Sequence, residues 1–167
     1  MKPTKLPFYL FFFLLPILST AQTALDSFDF QHPDTMLQQD FSFWIGEWNV
    51  YVTGTEQLAG KSKIEAMLGG SYIRESYFST QGYKGTSINT YNQALKRWEQ
   101  YYVDNGGLVL HIKGNFDGKA MVLMDCSEEN LNCNRISFIP LEGGKVQQVW
   151  DQSKDGGQSW TNAFDGT

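Results

Sequence analysis

From about residue 46 onward the chain is interrupted every ten residues or so by a turn rich in Gly, Asn or Asp. Between the turns, apolar and polar side chains alternate with a period of two. Beyond the first twenty residues, no segment carries the 3.6-residue apolar period over the length of a helix. The one helical feature expected is a short turn over 40–46, capped by Asp40 and ended by Gly46. Ten strands are predicted, near 47–54, 60–68, 71–79, 84–92, 97–104, 107–115, 119–125, 134–140, 145–152 and 158–165. Consecutive hairpins without crossover helices predict an all-β, antiparallel, up-and-down barrel of about ten strands. Closing the sheet removes both edges and leaves an interior able to hold one small ligand.

The turns also predict a register. Gly69-Gly70 suits a two-residue hairpin, whose central residues need positive φ, and sets Glu65 opposite Arg74 as an exposed cross-strand ion pair. Asn105-Gly106 read the same way places Val103 opposite Leu108, Tyr101 opposite Leu110 and Glu99 opposite Ile112. Asp117-Gly118 brings Ile112 opposite Leu123 and Gly114 opposite Met121. If Cys126 and Cys133 close the next loop, Leu123 falls opposite Ile136 and Met121 opposite Phe138. One face then collects Tyr101, Val103, Leu108, Leu110, Ile112, Met121, Leu123, Ile136 and Phe138, and burial of these assigns it to the interior. The opposite face collects Trp98, Gln100, Tyr102, His111, Lys113, Val122, Met124, Arg135 and Ser137; that this mixed face lines a wet cavity instead is the open alternative.

The 167 residues fit one domain. Met1 to Lys5 is basic, Leu6 to Leu18 is apolar, and Ser19-Thr20-Ala21 is a small-x-small cleavage pattern, so 1–21 reads as a secretory signal peptide. Residues 22–40 read as a polar lead-in and 41–167 as the barrel domain. The expected location is therefore secreted or periplasmic. There the only two cysteines are expected as a Cys126–Cys133 disulfide, with two buried thiols as the alternative. No Cys follows the cleavage site, which disfavours a lipid anchor. After cleavage 11 cationic side chains face 18 anionic ones. That balance, without a basic run, argues against nucleic acid or an anionic membrane as partner.

Gly46-Glu47-Trp48, at the entry to the first strand, resembles the Gly-x-Trp motif of the lipocalin-like (calycin) barrels, in which the Trp lies across the closed end. More closely the chain resembles an uncharacterised family of bacterial secreted domains of that shape. The shared phrases are Phe43-Trp44-Ile45-Gly46-Glu47-Trp48, Ile64-Glu65 with Gly69-Gly70, Gly85-x-Ser87, Trp98-x-Gln100 and Trp150-x-x-Ser153-x-Asp155-Gly156-Gly157. The resemblance spans about residues 41–166 and implies a lipocalin-like barrel without specifying a ligand. That family's domain runs on beyond Phe164-Asp165-Gly166, so the last strand is expected to be short. Ser153-x-Asp155-x-Gly157-x-Ser159-Trp160 also matches the Asp-box of sialidase hairpins. One copy is read structurally, with Asp155 accepting loop N–H groups above Trp160.

These features predict an interior site for a small, mostly apolar molecule. Trp48 closes one end; Tyr101, Leu110, Ile112, Leu123, Ile136 and Phe138 form the wall, and Glu75 and Glu99 supply polar contacts. His32 and His111, the only imidazoles, are too few to make a zinc site with bonded cysteines, so no metal or cofactor is expected. Two other readings compete. One is an enzyme in which Glu75 and Glu99 converge on a single cavity as an acid–base pair. The other is a surface interaction module using Trp98, Tyr102 and Trp150, with a filled interior. The sequence leaves the oligomeric state open.

Overall fold

The computed structural model describes residues 40–167. The expected signal peptide, the lead-in through residue 39 and His32 lie outside the described residues. A 3-10 turn, Ser42–Trp44, precedes ten strands: β1 Gly46–Tyr51, β2 Leu58–Met67, β3 Tyr72–Ser79, β4 Lys84–Asn92, β5 Arg97–Asp104, β6 Val109–Phe116, β7 Met121–Met124, β8 Cys133–Leu141, β9 Lys145–Ser153 and β10 Thr161–Gly166. They form one antiparallel sheet in strict chain order. The sheet curls until its first and last strands meet: Tyr51 and Thr167 exchange amide–carbonyl bonds of 2.8 Å, and Val52 bridges Gly166. The result is a nearly closed up-and-down barrel. The N-cap of the 3-10 turn is Phe41 rather than Asp40, and no side chain caps it.

One end of the barrel is packed solid. Phe41 stacks on Trp44 at 5.0 Å and meets Trp98 and Phe138 edge-on at 5.5 and 5.0 Å. Ile64, Ile73, Ile112, Met121 and Leu123, each no more than 2% exposed, complete this core. Burial of such side chains is worth ~1.5–3 kcal/mol each, which makes this plug the main stabilising mass of the fold. The short turn thus carries large aromatics because it serves as the stopper of the barrel.

Three of the four predicted hairpins keep the inward and outward faces expected. Glu65 pairs with Arg74, at a turn that widens over Leu68 to Ser71, and Leu123 pairs with Ile136. At Asp117 the loop is the two-residue Gly118-Lys119, with φ +95° at Gly118 and both Lys119 N–H and Ala120 N–H donating to Asp117 Oδ1. Phe116 therefore faces Met121, a shift of two positions that leaves the faces unchanged.

The Asn105-Gly106 hairpin differs, and the difference inverts β5. Positive φ is taken by Gly107 (+88°), and Asp104 Oδ1 accepts the amides of Gly106 and Leu108. The loop has three residues, 105–107, in the manner of a type I turn followed by a left-handed residue. Val103 consequently faces Val109 and Tyr102 faces Leu110. One extra loop residue turns every β5 side chain over. Tyr101 and Val103, expected inside, are exposed; Trp98, Gln100 and Tyr102, expected outside, point inward. Glu99 goes outward with Tyr101.

Candidate functional site

Beyond the aromatic plug the barrel is hollow, with a cavity of about 1250 Å³. The β1–β2, β3–β4 and β5–β6 connections, which all lie at one end of the barrel, contribute to its wall. Much of the wall is apolar, from Trp48, Val50, Leu108, Leu110, Ile136 and Trp150. Trp48 is held by its indole N–H donating to the Trp44 carbonyl at 2.8 Å. Gly46, against its ring, has φ +153°, a conformation that residues with a side chain rarely adopt.

A polar ladder crosses the apolar lining on β3, β4 and β5. Gln100 Nε2 donates to Asn89 Oδ1 at 2.6 Å, Asn89 Nδ2 donates to Ser87 Oγ at 2.9 Å, and Ser87 Oγ donates to Glu75 Oε2 at 2.8 Å. Asn89 also donates to the Ile73 carbonyl at 3.2 Å. All four residues are buried, none more than 5% exposed. The register places them together: Ser87 is the β4 partner of Glu75, and Gln100 the β5 partner of Asn89. The three side-chain bonds all run toward the carboxyl. Burial raises the pKa of Glu75 to about 7, opposed by the hydroxyls of Ser87 and Ser62. The Ser62 hydroxyl lies beside the carboxyl but has no partner in hydrogen-bond geometry among the described residues.

Two tyrosines flank the ladder. Tyr77 and Tyr102 line the cavity, and burial together with the Glu75 charge raises both phenols, Tyr102 to about 12. Each ring rests on a glycine of a neighbouring strand. A Cβ on Gly60 would meet the Phe78 carbonyl oxygen and, at 2.8 Å, Tyr77 Oη, and one on Gly85 would collide with the phenol end of Tyr102, 2.6 Å from Cζ. Glycine fits at 85 because the Tyr102 side chain occupies the space a methyl would take, and at 60 because backbone and Tyr77 together do.

The structure divides the predicted site residues into three groups. Trp48, Glu75, Leu110 and Ile136 line the cavity. Ile112, Leu123 and Phe138 point inward but belong to the packed core beneath it. Glu99 and Tyr101 are on the outside of the barrel, so they neither form wall nor supply a polar contact to the interior. The acid–base pairing of Glu75 with Glu99 fails for the same reason. The aromatics proposed for a surface module are also displaced: Trp98 is core, and Tyr102 and Trp150 line the cavity.

Glu99 nevertheless has only 7% of its side chain exposed. Its Oε2 contacts His111 Nε2 at 2.9 Å and accepts the Tyr101 hydroxyl at 3.3 Å. Its Oε1 accepts Arg97 Nε and Nη2, both at 3.0 Å, and Asn92 Nδ2 at 3.1 Å. The His111 bond foremost, with Arg97 and Asn92 adding to it, takes its pKa down to about 2. The Tyr101 ring stacks on His111 at 4.0 Å. This is a satisfied surface cluster.

The Cys126–Cys133 disulfide is formed, with a Cα–Cα distance of 4.9 Å, and it fits an oxidising, extracytoplasmic environment. The Asp155 loop is self-contained. Asp155 Oδ1 accepts the Ser159 amide and the Ser153 hydroxyl at 2.8 and 2.7 Å, Trp160 packs against Gly157, and Arg135 covers the Trp160 ring at 4.2 Å. Among the described residues no group of three or more His, Cys, Asp or Glu could hold a metal ion.

Sequence reasoning missed Ser62, Tyr77, Ser87 and Asn89 as site residues, and reached Gln100 and Tyr102 only through the alternative that the mixed face lines a wet cavity. A signal was present: Gly85-x-Ser87 and Trp98-x-Gln100 are two-residue spacings, each with both members on one face, and that face proves to be the interior.

The fold and cavity define a class, a ten-stranded up-and-down antiparallel barrel with a hollow interior crossed by a buried polar ladder. Compared with known proteins, the chain matches no family model and no curated protein.

Proposed function

We propose that this protein is an extracytoplasmic binding protein that holds a small, predominantly apolar molecule inside its barrel. The observation that carries the reading is the 1250 Å³ cavity, walled by aromatic and aliphatic side chains and crossed by one ordered run of buried polar groups. Ligand sites characteristically combine apolar area with a few fixed polar groups. A cavity that served stability alone would be a liability, because unfilled volume forfeits packing energy.

Trp48, Leu110 and Ile136 contact the ligand body in this reading, Glu75 orients its polar end, and Ile112, Leu123 and Phe138 keep the floor rigid. The resemblance to uncharacterised secreted lipocalin-like domains and the leader-like residues 1–21 support export, with cleavage after Ala21, and the disulfide accords with it. Native mass spectrometry of protein recovered from its own compartment tests the reading. The expected result is an intact mass above the denatured mass by a stoichiometric small molecule. Protein that is ligand-free and takes up no apolar probe would overturn it.

A further inference from the structure

We propose that the molecule held in the barrel is an organic cation, an apolar aromatic or alkyl body ending in a protonated amine that pairs with Glu75. The inference rests on the cavity reading above and narrows it to a ligand class.

Three observations point to it. The ladder is polarised: Gln100, Asn89 and Ser87 donate in sequence toward Glu75 Oε2, an arrangement that solvates negative charge. A neutral acid in an apolar cavity would need no such chain. Second, the groups that face Glu75 are uncharged. They are Ser62 and Ile64 from β2, Tyr77 on its own strand, Ser87 and Asn89 from β4, and Tyr102 from β5. No ion pair of the described residues includes Glu75. A buried carboxylate with no cationic partner is costly, and a positively charged occupant would supply that partner. Third, the remaining charge of the wall favours a cation. Besides Glu75, Glu56 and Asp104 line the cavity against one basic residue, Lys145; Glu56 and Lys145 are exposed and Asp104 is half-buried. Trp48, Trp150 and the two tyrosines give the lining an aromatic character of the kind organic cations prefer.

The test measures displacement of Nile red, a neutral apolar dye, from the full chain by three compounds sharing one body: 4-phenylbutylamine, 4-phenylbutanol and 4-phenylbutyrate. At pH 8 the amine is expected to displace the dye at a concentration at least ~10-fold below the alcohol, with the carboxylate weakest. Because the pocket must hold Glu75 ionised and its carboxyl titrates at about 7, amine affinity should fall about tenfold between pH 8 and pH 6 while alcohol affinity stays level. Glu75→Gln should remove the advantage of the amine, and Glu65→Gln, on the outer face, should leave it unchanged. The pH arm uses the unaltered protein and so does not depend on the variant folding. Dye uptake with the alcohol or carboxylate binding as well as the amine overturns the cation and leaves the cavity reading standing. An advantage that survives in Glu75→Gln does the same. Absence of dye uptake, with no binding of the three compounds by calorimetry, overturns both.

Discussion

Replacing Glu75 by Gln should make the protein more stable at pH 8 and change little at pH 4.5. The carboxyl titrates at about 7 in the fold against 4.5 when free. Below pH 4.5 both folded and unfolded chains carry it protonated and nothing is lost. As pH rises from 4.5 to 7 the unfolded chain ionises and the folded one does not, so the native state loses stability, at most ~1.4 kcal/mol per pH unit. The loss levels off above pH 7 at about 3 kcal/mol. The amide that replaces the carboxyl does not titrate, can still accept from Ser87, and escapes the loss. Urea unfolding of ligand-free wild type and variant, followed by Trp fluorescence at half-unit intervals from pH 4.5 to 8.5, should show a difference near zero at the acid end. It should grow to about 3 kcal/mol in favour of the variant. Other titrating groups are common to both proteins and cancel. A difference that is flat with pH, or that grows toward acid, would refute the reasoning.

Four further outcomes follow from the geometry. Glu99→Gln should flatten the acid limb: the depressed carboxyl stabilises the fold above pH 4.5 and that stability is lost as pH falls toward 2, so only the wild type should show this part of the slope in acid unfolding. Phe138→Ala, at the centre of the aromatic plug, should cost ~3–5 kcal/mol in urea unfolding, and a cost below ~1 kcal/mol would contradict the packing described. Gly85→Ala should cost ~1–3 kcal/mol by driving Tyr102 off its glycine, and Tyr102→Ala in the same chain should recover part of it; strictly additive losses in a double-mutant cycle would count against the contact. Cys126→Ser should lower stability by ~2–3 kcal/mol, read as a lower denaturation midpoint that reductant reproduces in the wild type.

The strand count, their order and the disulfide were legible in the sequence because period-two runs and Gly-rich turns are local signals. The inward set on β6, β7 and β8 was legible as well, since Ile112, Leu123, Ile136 and Phe138 leave no doubt about which side must be dry. On β5 the same logic failed, because Tyr101 and Val103 look as buriable as Trp98 and Tyr102. The decision passed to the hairpin, where Gly106-Gly107 admits either a two- or a three-residue loop. The deciding detail is Asp104, whose side chain gathers two loop amides and selects the longer form. Most of the polar ladder was hidden for a related reason. Nothing local marks Ser87, Asn89 and Gln100 as interior until the register joins them to Glu75.

The barrel is fastened by a very short clasp. Residues 51–53 meet 165–167, while among the described residues Gly46–Val50 of the first strand and most of the last make no backbone hydrogen bond across that line. A hoop pinned at so few places yields sideways before it melts, so amides at the clasp should exchange with solvent sooner than those between β2 and β5. In the proposed binding reading, a guest too bulky to pass between the loops would leave through this seam, at a rate set by how often the clasp lets go.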